Sequence, residues 1–463
     1  MHNHTWEILP MSSQFRTINR DTLYLLPPSI QDWLPDDHLA RFIVEIVDQL
    51  DLRKLEQCYE GGGKAAYPPA ILVGLLFYGY ATGVFSSRKL EQGTHDSVAF
   101  RFITADTHPD HDTIANFRKR FLKELEELFV QILLLAQSMG LLKLGKVSLD
   151  GTKMKANASK HKALSWQYAN ALEQQLKEEA TLLLAKAEET DGSEQDGLDI
   201  PKELKRREDR LAAIACAKEE LERRAQARFE IEQADYEEKR RKYEEKAKQK
   251  KRRGKAPKPP QSGPQDKDQV NLTDEESRIM PSADGFVQAY NAQAAVDTDT
   301  HLILENHLTQ SSNDKQEIEP TLRVLTVLEE TLGGKVEALL ADAGYCSEAN
   351  IEKCEAQQVI PYISNHREKH NQPLCERNRE PEPCPEGANA VVRMDYRLQT
   401  QAGKAVYALR KSTVETVFGI IKHVMGFRQF HLRGKEAAAG EWNLVSMAWN
   451  LKRMHRMVVA NSR

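Results

Sequence analysis

One short alternating run, residues 146–152 with the sequence KVSLDGT, constrains the fold more than any other stretch of the chain. Its apolar residues, Val147 and Leu149, alternate with polar ones, which is the period-two pattern of a β-strand. Gly151 then allows another segment of backbone or a ligand to approach closely. The pattern therefore predicts a strand that holds the carboxylate of Asp150 on a rigid element.

Two other acidic residues have comparably ordered settings. Asp342 closes the apolar run of residues 336–341, which predicts a second strand. Glu415 lies in residues 408–424, where the apolar periodicity predicts a helix. Two strand ends and a helix can hold two Mg²⁺ ions about 4 Å apart, an arrangement that acts on phosphodiesters. We therefore expect Asp150, Asp342 and Glu415 to converge on divalent metal.

The predicted helix also places cations on the face of its carboxylate. Lys411, Glu415 and Lys422 are spaced i, i+4 and i+11, so they share one side of the helix. Lys422 would then bind the phosphate backbone of the nucleic acid on which the carboxylates act. Considered alone, this spacing also fits a helix with ordinary charge pairs. The presence of all three carboxylates favours the catalytic interpretation.

The totals limit the class of protein. With 463 residues the chain can form two or three domains, and its 65 basic and 69 acidic residues make any nucleic-acid surface local. Six cysteines without a CxxC pair argue against a disulfide scaffold or a zinc ribbon and fit a reducing cytosol. The N-terminus lacks a signal region, and the richest apolar run, residues 70–85, is short and broken by glycines. These features predict a soluble cytoplasmic protein with no membrane partner.

Residues 1–145 are expected to form an all-helical domain. Apolar stripes and turn signals predict helices that begin near residues 39, 68, 86 and 112, the last with Asp112 as a candidate N-cap. Four polar residues of this last helix are expected to be exposed and to bind DNA: Asn116, Arg118, Lys119 and Arg120. An ordinary amphipathic surface helix is the alternative. His108 and His111 also suggest a metal site, but helix-start chemistry explains this segment better.

The composition changes sharply after the Asp150 strand. Residues 164–190 and 201–251 are rich in Glu, Lys, Arg, Ala and Leu, with aliphatic residues at heptad-like spacing. This pattern predicts a projecting antiparallel helical hairpin within residues 164–269. The hairpin ends in a basic run, residues 246–253, for which phosphate binding and a solvated linker are equally good interpretations.

Alternating and helical patterns resume after the hairpin. They predict strands at residues 285–296, 301–308 and 359–363, helices at residues 314–331 and 347–357, and a polar surface loop at residues 364–403. Without the hairpin, the order is strand, strand, strand, helix, strand, helix, strand and a late helix. This order predicts an α/β fold with a mixed sheet, preceded by the helical domain and interrupted by a coiled-coil-like arm.

At these residues the chain resembles the DDE transposases of bacterial insertion sequences, whose catalytic domain is RNase H-like. The matching segments are an InsH-type helical N-terminal domain and residues 149–153, 274–280, 285–297, 341–345, 414–422, 426–428 and 433–434. The resemblance implies that Asp150, Asp342 and Glu415 are the catalytic, metal-binding triad. It also implies two Mg²⁺ ions as cofactors, with Mn²⁺ as a substitute.

This branch carries a Tyr, Arg, Glu, Lys signature, which the chain matches with one departure. Tyr407 and Arg410 keep the first gap and Glu415 and Lys422 keep the last, but four residues instead of three separate Arg410 from Glu415. Lys411 occupies the expected position. The resemblance implies that Tyr407, Arg410, Lys411 and Lys422 bind the DNA. In better-known relatives the large insertion precedes the Glu helix, whereas here it follows the first strand.

The resemblance implies a transposase that cuts at the ends of its element and joins the 3′-hydroxyls to target DNA. Its expected partners are the terminal inverted repeats, the target DNA and a second copy in a synaptic complex at the bacterial nucleoid. The expected parts are a helical domain at residues 1–145, a catalytic domain at residues 146–163 and 270–463, and the inserted arm at residues 164–269. An RNase H-like nuclease without strand transfer and a non-catalytic DNA-binding descendant remain open. The intact triad speaks against the second of these.

Overall fold

The computed structural model describes residues 29–59, 66–189, 200–248, 256–282, 285–365 and 380–461. A helical N-terminal region packs against the helices that flank a mixed sheet, and the buried side chains of both parts form one continuous hydrophobic core. A long helical hairpin leaves the sheet after its first strand and has a small core of its own.

The N-terminal region is helical, as predicted. Its helices are α1 (Ile30–Trp33), α2 (Leu39–Val47), α3 (Arg53–Gln57), α4 (Pro69–Thr82), α5 (Ser87–Asp96), α6 (Val98–Ile103), α7 (His111–Arg120) and α8 (Leu122–Ser138). Helix α4 is apolar on all sides because it is buried among the others. It ends at Gly83, whose φ of 84° is a left-handed conformation that favours glycine.

The N-cap of helix α7 lies two residues before the predicted one. Asp110, not Asp112, is the N-cap, because its extended backbone lets Oδ1 accept from the backbone N–H of Thr113 at 2.7 Å. Asp112 lies inside the first turn. The predicted cap was therefore wrong by two residues, although the helix itself is confirmed.

The central sheet has six strands. They are β1 (Lys146–Lys155), β4 (Arg278–Ser282), β5 (Gly285–Asp297), β6 (Ile303–Thr309), β7 (Ala338–Ala341) and β8 (Ile360–Ile363). The order is β4-β5-β1-β7-β8, and β6 also pairs with β5. Strand β1 is antiparallel to β5 and parallel to β7, which is in turn parallel to β8. The mixed α/β sheet is thus confirmed, and only the short β4 was not predicted.

Five helices accompany the later strands: α11 (Ile318–Leu332), α12 (Glu348–Ala356), α13 (Ala390–Gln399), α14 (Gln401–His423) and α15 (Lys435–Asn461). The predicted surface loop at residues 364–403 is wrong over α13 and the start of α14, and residues 366–379 lie outside the described residues. Asn389 and Thr400 cap these two helices by accepting from Val392 and Gly403. Polar residues that cap helices are also typical of loops, so the sequence pattern did not distinguish the two.

Helix α15 was not predicted, and its first turn is held by acidic side chains. Gly434 donates its backbone N–H to Asp274 at 3.3 Å, and Lys435 donates to Glu276 at 2.7 Å. Carboxylates satisfy the free N–H groups of a helix start and oppose its dipole. These contacts join the segment before β4 to the C-terminal helix.

The inserted arm is an antiparallel pair of helices, as predicted. It consists of α9 (Trp166–Glu189) and α10 (Ile200–Lys248), and a two-stranded sheet of β2 (Ala163–Ser165) and β3 (Gln269–Asn271) closes its base. Buried aliphatic side chains line the helix contact, and Lys218 on α10 forms an ion pair with Glu173 on α9 at 2.8 Å. Residues 249–255, which hold most of the basic run, lie outside the described residues.

Within the described ranges, no single helix is both long and apolar enough to cross a membrane. Helices α4 and α5 meet the length and composition requirement only together, and they are bent by 97° relative to each other. Most of α4 is buried inside the protein.

Candidate active site

Asp150 and Asp342 come from neighbouring strands. The parallel register pairs Ser148 on β1 with Leu340 on β7, and two more residues along each strand bring Asp150 level with Asp342. Asp342 directly follows β7, where its Oδ1 accepts from the backbone N–H of Gly344 at 2.8 Å. Two of the three predicted site residues therefore lie side by side on two inner strands of the sheet, at the point where β7 ends.

The setting of Asp150 shows that negative charge is crowded there. Burial raises the pKa of this carboxyl to about 7, with a further contribution from the charge of Asp342, while Arg410 acts in the opposite direction. The side chain is 19% exposed. A cation is the natural way to stabilise two carboxylates in such a place.

Arg410 connects Asp150 to the third acidic residue. Its Nη1 donates to Asp150 Oδ2 at 3.2 Å, and its Nη2 donates to Glu415 Oε1 at 2.7 Å. The guanidinium is 12% exposed, whereas Glu415 on α14 is 47% exposed. The buried Nε has no acceptor among the described residues. Glu415 thus faces the same site as Asp150, with one planar cation between them.

The other signature residues of α14 have different surroundings. The ring of Tyr407 lies 6.0 Å from the Arg410 guanidinium carbon. Lys422 is half-buried and donates its ammonium to Thr152 Oγ1 and, at 3.4 Å, to the carbonyl of Lys153. Burial lowers the pKa of Lys422. Lys411 is exposed, and Arg410 is the residue of this pair that contacts Asp150 and Glu415.

Gly151 permits the close approach that the sequence predicted. A Cβ atom at this position would collide with the Gln293 side chain and would lie 2.8 Å from both Asn291 Oδ1 and Asp314 Oδ1. Gln293 also accepts a hydrogen bond from the buried hydroxyl of Tyr345. Sequence reasoning missed Asp314, which it treated only as the start of a helix.

The donor set fits a hard divalent cation. Carboxylate oxygens are the ligands that Mg²⁺ and Mn²⁺ prefer, and Asp150 and Asp342 form an adjacent pair of them. In the part of the chain that the structure describes, no three His, Cys, Asp or Glu side chains are arranged to hold a metal ion. Arg410 lies between Asp150 and Glu415 and forms an ion pair with each of them.

One predicted DNA-binding residue is buried. Arg118 is 7% exposed, and its Nη1 donates to the Tyr80 hydroxyl at 2.8 Å and to the carbonyl of Phe85 at 2.9 Å. Because residue 118 follows Ile114 by four positions, both lie on the inner face of α7. The predicted exposure of Arg118 was therefore wrong. The other three residues are exposed as predicted: Asn116, Lys119 and Arg120.

A buried glutamate that sequence analysis missed fixes the helical region to the catalytic region. Glu441 on α15 is fully buried; its Oε1 accepts from the Tyr80 hydroxyl at 2.9 Å and pairs with His431 Nδ1 at 3.0 Å. Its Oε2 accepts from the backbone N–H groups of His431 and Leu432. Together with Arg118, these residues form a buried polar network between α4, α7 and α15.

The two histidines at the start of α7, His108 just before the helix and His111 as its first residue, have ordinary partners. His111 Nδ1 lies 2.7 Å from Glu91, and His108 Nδ1 lies 3.2 Å from Thr94 Oγ1. The ring of His108 also stacks on His95. These contacts agree with the structural interpretation of this segment.

A mixed sheet in this order, with acidic residues on β1, after β7 and on a later helix, defines the RNase H-like class of phosphodiester-processing enzymes. Two family models match the chain: the Transposase DDE domain over residues 257–451 and the Transposase domain (DUF772) over residues 28–120. The chain belongs to the DDE transposases of insertion sequences and is a DNA transposase. Such enzymes depend on divalent metal.

The matched ranges include some site residues and omit another. Asp342 and Glu415 lie in the DDE range, whereas Asp150 lies between the two matches. The arm separates β1 from the rest of the sheet along the chain, so only the fold brings Asp150 to the other two. Neither a curated protein nor a solved structure gave a significant match.

Proposed function

We propose that Asp150, Asp342 and Glu415 are the catalytic triad and that they bind two Mg²⁺ ions, for which Mn²⁺ can substitute. The observation that supports this proposal is that Arg410 contacts both Asp150 on β1 and Glu415 on α14, while Asp342 directly follows the neighbouring strand β7. When the Arg410 side chain turns toward a phosphate, Glu415 is free to join the two aspartates. Arg410 would exchange one pair of anions for another, which a guanidinium does well.

The reaction would be cleavage at the ends of the element followed by transfer of the 3′-hydroxyls to target DNA. Bound divalent cations polarise the phosphate, activate the attacking oxygen and stabilise the leaving oxygen. The protein residues hold the reacting strands: Arg410 and Lys422 contact phosphates, and Tyr407 supports the Arg410 guanidinium. Lys422 also keeps β1 and α14 together through Thr152.

The DNA surface would extend from this site to α7. Asn116, Lys119 and Arg120 are exposed there, and Lys411 is exposed on α14. These polar and cationic residues would bind the terminal inverted repeats through phosphate contacts, which set position more than sequence. Arg118 is excluded from this surface by its burial.

We also infer a division of the chain in which residues 1–145 recognise DNA ends and residues 146–163 and 270–463 perform catalysis. Residues 164–269 would form the arm that is inserted between the two segments of the catalytic part. Two copies would act together in a synaptic complex, because two ends must be joined. The protein would act in the cytoplasm at the nucleoid, where its DNA substrates lie.

The test is cleavage of labelled duplexes that carry the DNA flanking the gene, with Mg²⁺ or with EDTA. The parent protein is compared with Asp342→Asn and with Glu348→Gln, an exposed acid at the start of α12. We expect metal-dependent nicking at the element boundary that Asp342→Asn abolishes and Glu348→Gln retains. Cutting that Asp342→Asn retains would refute the triad, and cutting without any joining to a second duplex would favour a nuclease.

A further inference from the structure

A second polar layer lies on the opposite face of the sheet from Asp150. The antiparallel register pairs Asp150 with Ala294, but it pairs Gly151 with Gln293 and Lys153 with Asn291. Because residues alternate between the faces of a strand, Asn291, Gln293 and Lys153 share the face that the glycine leaves open. Gly151 therefore leaves a gap between the side chains on this face, next to Asp150 in the chain.

Asp314 fills this layer. Its Oδ1 accepts from Asn291 Nδ2 at 2.6 Å and from Gln293 Nε2 at 2.8 Å, and Lys153 Nζ lies 3.6 Å away. This carboxylate lies close to Gly151 and Gly344, the glycines that neighbour Asp150 and Asp342. A Cβ on Gly151 would lie 2.8 Å from Asp314 Oδ1, and a Cβ on Gly344 would lie 3.6 Å from Asp314 Oδ2 and 2.9 Å from Asp342 Oδ1.

An unpaired oxygen accompanies this carboxylate. Asn291 is fully buried, and its Oδ1 has no hydrogen-bond partner among the described residues. This oxygen lies 2.8 Å from the position of a Gly151 Cβ, as does Asp314 Oδ1. A buried carbonyl oxygen left without a donor costs free energy, and such atoms commonly face a cation or an ordered water. Asn291 Oδ1 and Asp314 Oδ1 therefore both lie next to the gap at Gly151.

We propose that Asp314 is a fourth acidic group of the catalytic centre, a positioning residue that strengthens divalent-cation binding by Asp150 and Asp342. It holds Asn291 and Gln293 behind Gly151 and adds negative charge close to the two aspartates. Coulomb interactions of this kind act over several ångströms at the reduced dielectric of a partly buried site. The proposal rests on the proposed triad, and it assigns no direct contact with DNA to Asp314.

The experiment is titration of the full chain with Mn²⁺ in the absence of DNA, followed by calorimetry or by the spectroscopic signal of free Mn²⁺. Asp314→Asn keeps an oxygen that can accept from Asn291 and Gln293 but removes the charge, so we expect Mn²⁺ affinity to fall about tenfold with little change in melting temperature. The matched control is Glu330→Gln, an exposed acid on α11, for which affinity should not change.

Lys153→Gln tests the same layer with the opposite sign. It removes the cation beside Asp314 and should tighten Mn²⁺ binding severalfold, so it decides the question even if Asp314→Asn folds poorly. Asp150→Asn and Asp342→Asn report on the triad itself. If these two weaken binding while Asp314→Asn and Lys153→Gln leave it unchanged, the fourth-acid proposal is overturned and the triad stands. If all four leave binding unchanged, the triad proposal fails as well.

Discussion

Arg410 donates a hydrogen bond of 3.2 Å to Asp150, which lies 260 positions away in the chain. The same guanidinium donates to Glu415 at 2.7 Å. One planar cation therefore sets the distance between the carboxylate of β1 and that of α14. The shift of one residue in the signature places this arginine, and not Lys411, against the acidic residues.

Substitution of Arg410 should impair cleavage more than substitution of its neighbour. We expect Arg410→Ala to lower single-turnover cleavage of end DNA on the order of 100-fold, because a preorganised phosphate donor is lost. Lys411→Ala should weaken binding to the DNA backbone severalfold but leave the cleavage rate at saturating DNA nearly unchanged. Equal losses in both variants, measured at saturating DNA, would contradict the assignment of Arg410 to the site.

Asp150 should reduce the stability of the folded protein above neutral pH. The pKa of Asp150 is about 7 in the fold, against an ordinary value of 3.8, so the contribution of this group is fully present below the unfolded pKa and is lost as the pH rises through 7. Asp150→Asn stays neutral, and it should raise the free energy of unfolding at pH 8 by about 1–3 kcal/mol. The gain should shrink as the pH falls from about 8 to about 5.

Denaturation in EDTA at these two pH values checks this prediction. Glu348→Gln is the control, because its exposed carboxyl should show no such difference. A variant at Asp150 that is less stable than the parent at pH 8 would mean that the contact with Arg410 outweighs the burial of charge.

The buried face of α7 gives a prediction that separates structure from binding. Arg118→Ala removes a buried cation that donates to the Tyr80 hydroxyl and the Phe85 carbonyl. It should lower the free energy of unfolding by about 2–4 kcal/mol. Lys119→Ala should leave stability unchanged within about 0.5 kcal/mol and reduce the salt dependence of DNA binding by about one ion. Melting curves and filter binding at several salt concentrations distinguish the two, and the reverse pattern would restore Arg118 to the DNA surface.

Local pattern was sufficient for the strands and helix that carry Asp150, Asp342 and Glu415, because these residues end or interrupt strongly periodic runs. It was insufficient where tertiary contacts decide. Helix α15 is buried on most sides, so its sequence lacks an amphipathic stripe. Arg410 contacts Asp150, which is 260 positions away in the chain, and Asp314 contacts Asn291, which is 23 positions away. Neither residue type nor spacing reveals such partners.

The contact between Tyr80 and Glu441 should hold the helical region to the catalytic region. Glu441 uses one oxygen for Tyr80 and His431 and the other for two backbone N–H groups. In Glu441→Gln, the amide N–H₂ either faces the two backbone N–H groups or replaces the oxygen that accepts from the Tyr80 hydroxyl, which then loses its acceptor.

We therefore expect Glu441→Gln to lower the free energy of unfolding by about 2–4 kcal/mol, because a buried donor is left unpaired in an ionic network. Glu436→Gln is the matched control on the same helix, since Glu436 is 78% exposed and its pair with Lys123 is at the surface. Urea denaturation followed by tryptophan fluorescence measures both. If the two variants unfold at the same urea concentration as the parent, the network does not couple the regions, and other contacts, such as the hydrogen bond from Lys452 to the carbonyl of Ala81, hold the N-terminal helices to α15.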